Sequence, residues 1–362
     1  MKIGQKGLST TAIVGIVVTV VVVIVAVAAV VVLKEGSGLT HHDPIFINSN
    51  GDFTSANGIT SGSGTQADPY IIENWVINAS SANGIQIQNT IKYFVIRNCL
   101  IENGSPGDYS GIFLASVSNG KIENNICKHN FKGIALDFIS YEAWLETQTV
   151  TKNSNNNLVN NTCENNSIGI YLVASHYNNL TNNTCENNSI GIYLGTSDNN
   201  TTENNTVKNN SFTGIYLASS SDDNLTNNIV KNNSTTGIRL DDSSWNILLN
   251  NTCENNECGI NLSSSEYNIL KNNTCEGNSY YGIFLYSLSN NNAIFRNYLL
   301  NNMRNNAYDN GANWWDYNGK GNYWSDWQPP EHPDAYGDGI VDEPRPIIGG
   351  TNQDNYPLVQ VS

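Results

Sequence analysis

The sequence predicts an all-β fold, a parallel β-helix of about ten coils, on three observations. Gly-Ile-x-Leu or a near variant recurs nine times, beginning at Gly84, Gly111, Gly133, Gly169, Gly191, Gly214, Gly237, Gly259 and Gly282. The last five intervals are 22, 23, 23, 22 and 23 residues. Within a unit no stretch has helical periodicity; short apolar pieces of period two alternate with clusters of Asn, Ser, Gly and Asp. These pieces keep phase from copy to copy. A fixed period of this size means one unit stacked on itself, because no single unit buries its own apolar side.

Each coil divides into three strands. In Gly191–Leu194, Ile192 and Leu194 point one way and Tyr193 the other, because strand side chains alternate. A second strand holds Leu180 and its counterparts Leu225, Leu248 and Leu270. A third carries Cys185, in line with Val207, Val230, Cys253 and Cys275. Coils stacked at the ordinary strand spacing of about 4.8 Å build a rod of roughly 45–50 Å. Burying each inward aliphatic side chain is worth roughly 1.5–3 kcal/mol, which offsets the ordering of a polar repeat. The recurrent Asn182, Asn204, Asn227, Asn250 and Asn272 are expected to stack as well, each amide bonding to the next coil.

The net charge of -15, with 17 Lys+Arg, argues against nucleic acid, whose phosphates need a basic face. Six of the seven cysteines (Cys99, Cys127, Cys163, Cys185, Cys253, Cys275) are assigned to one ladder position where valine also stands. Such a position asks for a small buried hydrophobe rather than a disulfide or a metal ligand. Cys258 lies off that ladder. Sequons abound; Asn160, Asn182, Asn204, Asn250 and Asn272 are read as ladder residues occupied by stacking, and Asn78, Asn179 and Asn224 as the accessible ones.

Residues 1–11 read as a cytoplasmic leader and 12–33 as a transmembrane or pilin-like hydrophobic helix. Twenty-two residues with one polar position, Thr19, make about 33 Å of helix, enough to cross a bilayer. Lys2 and Lys6 precede the segment and place the repeats outside. Three export routes stay open: an uncleaved anchor, ordinary cleavage near Ala26-Val27-Ala28, and processing after Gly7, since Lys6-Gly7-Leu8-Ser9 resembles the class III signal of archaeal pilin-like proteins. The same helix offers a route to a homo-oligomer or filament. Residues 34–44 read as a linker, with His41-His42-Asp43 a solvated stretch or a metal-binding one. Residues 45–300 read as the coils and 301–362 as an aromatic cap.

Several segments then resemble NosD-like β-helix proteins, also described as carbohydrate-binding and sugar-hydrolase β-helix domains. They are Gly62-Ser63-Gly64-Thr65 with Asp68-Pro69-Tyr70-Ile71-Ile72-Glu73, the stretch 89–98, and the 22-residue coils. The ending Gly321-Asn322-Tyr323-Trp324-Ser325-Asp326, with Gly337-Asp338-Gly339-Ile340-Val341-Asp342 and Asp354-Asn355-Tyr356-Pro357-Leu358, resembles archaeal surface members. The resemblance covers about residues 45–362 and implies a right-handed, pectin-lyase-like β-helix, the hand also favoured for parallel crossovers. It implies less about activity, because this fold carries lyases, hydrolases, adhesins and a copper-delivery accessory protein.

Tyr171, Tyr193 and Tyr216 occupy the outward position of three consecutive coils, with Phe113 and Phe284 farther along. They form either a platform for sugar rings or an aromatic ladder that steadies the sheet. Arg239, Asp241 and Asp242 follow one coil after Asp222 and Asp223 and are the weak catalytic candidates. Carboxylates holding Ca²⁺ beside an arginine base equip the lyases of this fold, and solvated turn acids are the alternative. The 36-residue interval from Gly133 to Gly169 inserts an excursion carrying Tyr141, Glu142, Trp144 and Glu146, with Trp144 the sugar-binding candidate. Trp314, Trp315, Trp324, Trp327, Tyr317 and Tyr323 are read as a cap over the open end of the core. Asp334, Asp338 and Asp342, with Gly337 and Gly339, resemble a calcium loop, although Tyr336 replaces the acid usual between the first two aspartates. Copper delivery finds little support: soft sites need Met, His or exposed Cys, and the chain offers Met303, five scattered histidines and cysteines assigned to the core.

These readings converge on an exported, membrane-anchored β-helix that binds a polysaccharide or glycan surface, with no required cofactor beyond an optional Ca²⁺. A polysaccharide lyase or glycoside hydrolase, and a structural pilus or surface-layer subunit, are the alternatives.

Overall fold

In a computed structural model the chain is described over residues 38–138 and 153–359. Three parallel sheets run its length, and each coil gives one strand to each. The GIxL sheet has 11 strands, from Ile45–Ile47 to Asn305–Asp309. The leucine sheet has 11, from Ile59–Ser61 to Ala293–Phe295, and the cysteine sheet 12, from Thr40–His42 to Tyr323–Trp324. Ile170, Ile192, Ile215 and Ile238 lie in direct register and are fully buried. Leu158, Leu180, Leu225 and Leu248 belong to the same single core.

Each coil turns its corners through residues in the left-handed region, a conformation asparagine tolerates better than most residues. At the corner between leucine and cysteine sheets stand Asn182, Asn204, Asn227, Asn250 and Asn272, with φ from 54° to 57°. This corrects the expected ladder by one residue. The corner residue projects outward, and the asparagine after it turns in. Asn183 Nδ2 donates to Asn205 Oδ1 at 3.0 Å and to the Leu158 carbonyl at 2.9 Å, and the pattern repeats through Asn205, Asn228, Asn251, Asn273 and Asn297. The Asn160, Asn182 and Asn204 sequons are therefore exposed, and of the corner residues Asn250, though exposed, donates to Asn227 Oδ1 at 3.2 Å. Two further buried ladders run through Asn166, Asn188, Asn210 and Asn233, and through Asn156, Asn178 and Asn200. The latter continues into Asp223, fully buried and not the solvated turn acid the sequence suggested; Asp222 is the exposed corner residue beside it.

The cysteine column also needs adjusting. Cys127, Cys163 and Cys185 stack in register, then Val207, Val230, Cys253 and Cys275. Ile101, not Cys99, pairs with Cys127. Cys99 lies two residues earlier, at the head of an asparagine ladder, where its N–H donates to Asn125 Oδ1 at 3.0 Å. All seven thiols are free and buried.

Both ends are closed. At the first, Ile59–Ser61 pairs antiparallel with Tyr70–Glu73, and Phe53 stacks on Tyr70 at 4.4 Å. The linker is shorter than expected, because Thr40–His42 already pairs with Trp75–Ile77 and the His42 ring lies against Trp75. At the other end, coil strands persist past residue 300 to Asn305–Asp309, and Trp324 takes the cysteine position beyond Leu299. Trp315 and Trp324 close the core; Trp314 and Tyr317 face solvent. The leader and the 12–33 segment lie outside the described residues, as does Trp144 with most of its excursion. Among the described residues no helix is long and apolar enough to cross a membrane.

Candidate functional site

The outward face of the GIxL sheet gathers the predicted tyrosines. Pleating sends Tyr171, Tyr193 and Tyr216 away from the core at one register position, between the inward Ile and Leu of each strand. Tyr171 and Tyr193 stack with centroids 5.2 Å apart and planes 10° from parallel, and Tyr193 meets Tyr216 edge-on at 5.4 Å. Gly195 leaves room for this: a Cβ there would lie 2.8 Å from the Tyr193 ring.

Charged pairs bracket the rings. Lys132 Nζ sits 3.7 Å above the Tyr171 ring centroid and 2.8 Å from Asp137 Oδ2. At the other end Arg239 pairs with Asp241 at 2.7 Å and lies over the Tyr216 ring. The Tyr216 hydroxyl donates to Asp241 Oδ2 at 2.8 Å. Burial pushes all three phenols up, Tyr216 to about 12 with Asp241 adding to the effect. The tyrosines and the Arg239–Asp241 pair, read separately in the sequence, thus form one continuous surface. Asp242 is not part of it; it stands at the exposed corner with φ 48°.

Lys132 and Asp137 were missed in the sequence. Asp137 carried a positional signal, since strand alternation puts it on the outward face with Ala135, whereas Lys132 has the parity of the inward Ile134 and Leu136 and its ammonium reaches the Tyr171 ring from the start of the strand. Phe113 is separated from Tyr171 by Ala135, and Phe284 from Arg239 by Asn261. Phe284 instead joins Tyr281, Tyr286 and Tyr308 in an aromatic cluster of its own.

Asp334, Asp338 and Asp342 share one turn after the cap. Asp334 Oδ1 accepts the N–H groups of Gly337 at 2.7 Å and Asp338 at 3.1 Å, and Oδ2 accepts that of Gly339 at 3.0 Å. Asp342 accepts from Ala335 and Asp338 from Ile340, so each carboxylate is engaged with the backbone. Among the described residues no group of three or more His, Cys, Asp or Glu side chains is gathered as a metal would need.

The family model described as "Periplasmic copper-binding protein (NosD)" matches residues 145–329, and that of the "Right handed beta helix region" matches residues 29–189. No curated protein matches the sequence. Among solved structures, the Dettilon tailspike protein is 16% identical over 76% of this chain and 63% of its own, with a TM-score of 0.53. The periplasmic alginate epimerase AlgG is 14% identical over 76% and 84%, with a TM-score of 0.46. PfbA, a surface adhesin of Streptococcus pneumoniae, is 13% identical over 81% and 77%, with a TM-score of 0.47. The tailspike likeness supports the fold alone. The copper in the first description does not fit the residues here. Cys127, Cys163, Cys185 and Cys253 are fully buried in the core, Met303 is exposed, and among the described residues no group of three or more His, Cys, Asp or Glu side chains is gathered to offer a soft metal a site.

Proposed function

Because this chain belongs to the NosD family of right-handed parallel β-helix proteins, we propose that it is an exported surface module that binds glycan chains. The observation that carries this reading is the half-exposed Tyr171–Tyr193–Tyr216 row, bracketed by the Lys132–Asp137 and Arg239–Asp241 pairs. Rings at coil spacing offer apolar faces to sugar C–H groups, and the charged pairs offer donors and acceptors to sugar hydroxyls. The apolar 12–33 segment supports export with membrane anchoring, and the family's periplasmic description agrees with a compartment outside the cytoplasm.

Binding without chemistry suits this face better than lyase or hydrolase action. A lyase would ask Tyr216 or Arg239 to take a proton, yet burial holds the Tyr216 phenol up and the guanidinium is locked to Asp241. The test is a glycan array with the full chain and the Tyr171→Ala/Tyr193→Ala/Tyr216→Ala variant, alongside assays for unsaturated products and reducing ends on acidic polysaccharides. Loss of glycan binding in the variant, with no product from either protein, is expected. Unchanged binding removes the platform, and product formation by the parent alone makes the face an active site.

A further inference from the structure

From Asn119 onward the corner joining the GIxL sheet to the leucine sheet takes a left-handed residue, and Asn119, Asn155, Asn199, Asp222 and Asn291 fill it with types that accept that conformation. Three coils do otherwise. Tyr177, Trp245 and Tyr267 stand there with φ of 56°, 63° and 57°, and are 59%, 57% and 41% exposed. Neither backbone nor core asks for a ring at this place: the conformation disfavours bulk, and the exposed ring gains no burial.

Trp245 and Tyr267 stack at 4.4 Å with planes 7° apart, which leaves the other indole face turned toward the coil of Asp222. From these coils onward the outward face of the leucine sheet is apolar too. Ile247, Ile269 and Ala293 continue in register to Trp314, where preceding coils have Asn179, Thr201 and Asn224. Contiguous exposed apolar surface of this kind marks a binding surface.

Charge selects the occupant. Asp222 precedes Trp245 by one coil and Glu266 adjoins Tyr267, while Lys271 on this face lies near the Phe295 ring. Such acidic flanks repel nucleic acid, anionic lipid and acidic polysaccharide, and also a second copy of a chain of net charge -15. An uncharged pyranose chain fits: its C–H faces stack on the rings and its hydroxyls donate to the carboxylates. We propose that the Trp245–Tyr267 corner is a binding surface for a neutral glycan, separate from the tyrosine face and independent of whether that face binds.

The test compares the full chain with Trp245→Asn/Tyr267→Asn, which installs the residue type other coils use at this corner. Cellohexaose, maltohexaose and laminarihexaose are titrated by calorimetry, with oligogalacturonate as the acidic control. At least one neutral hexasaccharide should bind the parent and bind the variant about tenfold or more weakly. The melting temperature should stay level or rise, because asparagine suits the left-handed corner. The Tyr171→Ala/Tyr193→Ala/Tyr216→Ala variant should keep this neutral-sugar binding, which separates the two surfaces. No neutral binding by the parent, or equal binding by the variant, overturns the proposal. A lowered melting temperature makes the rings part of the fold, and loss of an oligomer on sedimentation makes them a contact between copies; either also overturns it.

Discussion

Asp223 replaces an amide in the buried ladder directly against Asn200. Its Oδ1 accepts the Asn200 backbone N–H at 2.7 Å and the Asn200 side-chain N–H at 3.2 Å, while Oδ2 meets no donor. Ladder asparagines keep an NH₂ group in addition to that accepting oxygen, as Asn246 does in donating to the Ser220 carbonyl. A protonated carboxyl mimics the amide; an ionised one does not.

Stability should therefore fall as pH rises. Burial pushes the Asp223 carboxyl up to about 8 from an ordinary 3.8, so between those values the folded chain holds a proton that the unfolded chain has released. The contribution is whole below the lower value and lost as pH climbs through the upper. Urea unfolding at about pH 5 and about pH 8 should show this loss, and Asp223→Asn should flatten it and stabilise the chain at the higher pH. An identical pH slope in both proteins would show that Asp223 is not the titrating group.

Neighbouring asparagines should differ sharply. Asn228→Ala strands the buried Asn205 N–H groups and the Thr202 carbonyl, at about 1–3 kcal/mol for each unsatisfied group. A loss of about 3–5 kcal/mol follows, allowing for partial relaxation. Asn227→Ala removes an exposed side chain at the left-handed corner and its solvent-exposed 3.2 Å bond from Asn250 Nδ2, worth about 1–2 kcal/mol in all. Chemical denaturation of the pair measures the difference; equal costs would contradict the ladder assignment.

The far cap turns on Gly321. A Cβ there would stand 1.7 Å from Asp354 Oδ1, in a buried carboxylate that receives the Asn322 N–H at 2.7 Å and the Trp324 indole N–H at 2.8 Å. Gly321→Ala should displace Asp354 and uncover the end of the core, with a stability loss of about 1–3 kcal/mol and increased aggregation. Thermal melting with light scattering checks both; a soluble variant of parental melting temperature would refute it.

Calcium at Asp334, Asp338 and Asp342 stands as a proposal. A bound ion would raise the melting temperature in calcium over chelator, and Asp334→Ala would remove the rise, since a ligand of the native state alone must stabilise it. No rise would leave the turn closed by its own amides.

The coil, its three strands and its inward columns were legible because Ile, Leu and Cys differ in kind from what surrounds them. The amide ladder was misplaced by one residue because Asn182 and Asn183 are chemically identical; only the left-handed φ of the first decides which turns inward. Cys99 was misassigned by composition: its neighbour Ile101 is the column residue, two positions on. Asp223 was hidden by Asp222, the same side chain on the opposite side of a corner. Of the candidate site, the tyrosine row was readable from strand alternation, whereas its union with Arg239, Asp241 and Lys132 needed the lateral geometry of the sheet. Trp245 escaped notice because it lies outside the Gly-Ile-x-Leu motif altogether.

The matched register of successive coils has an evolutionary corollary. Each rung bonds chiefly to the rung before and after it, so unequal crossing-over that gains or drops a whole 22- or 23-residue segment reconnects like to like. Both termini of the rod stay sealed after such an event, and its reach changes by about 4.8 Å per duplication. Length is thus expected to change most readily in whole coils, whereas extra residues are taken up at a corner, as between Gly133 and Gly169, where the 36-residue interval leaves Ile134 and Ile170 in register.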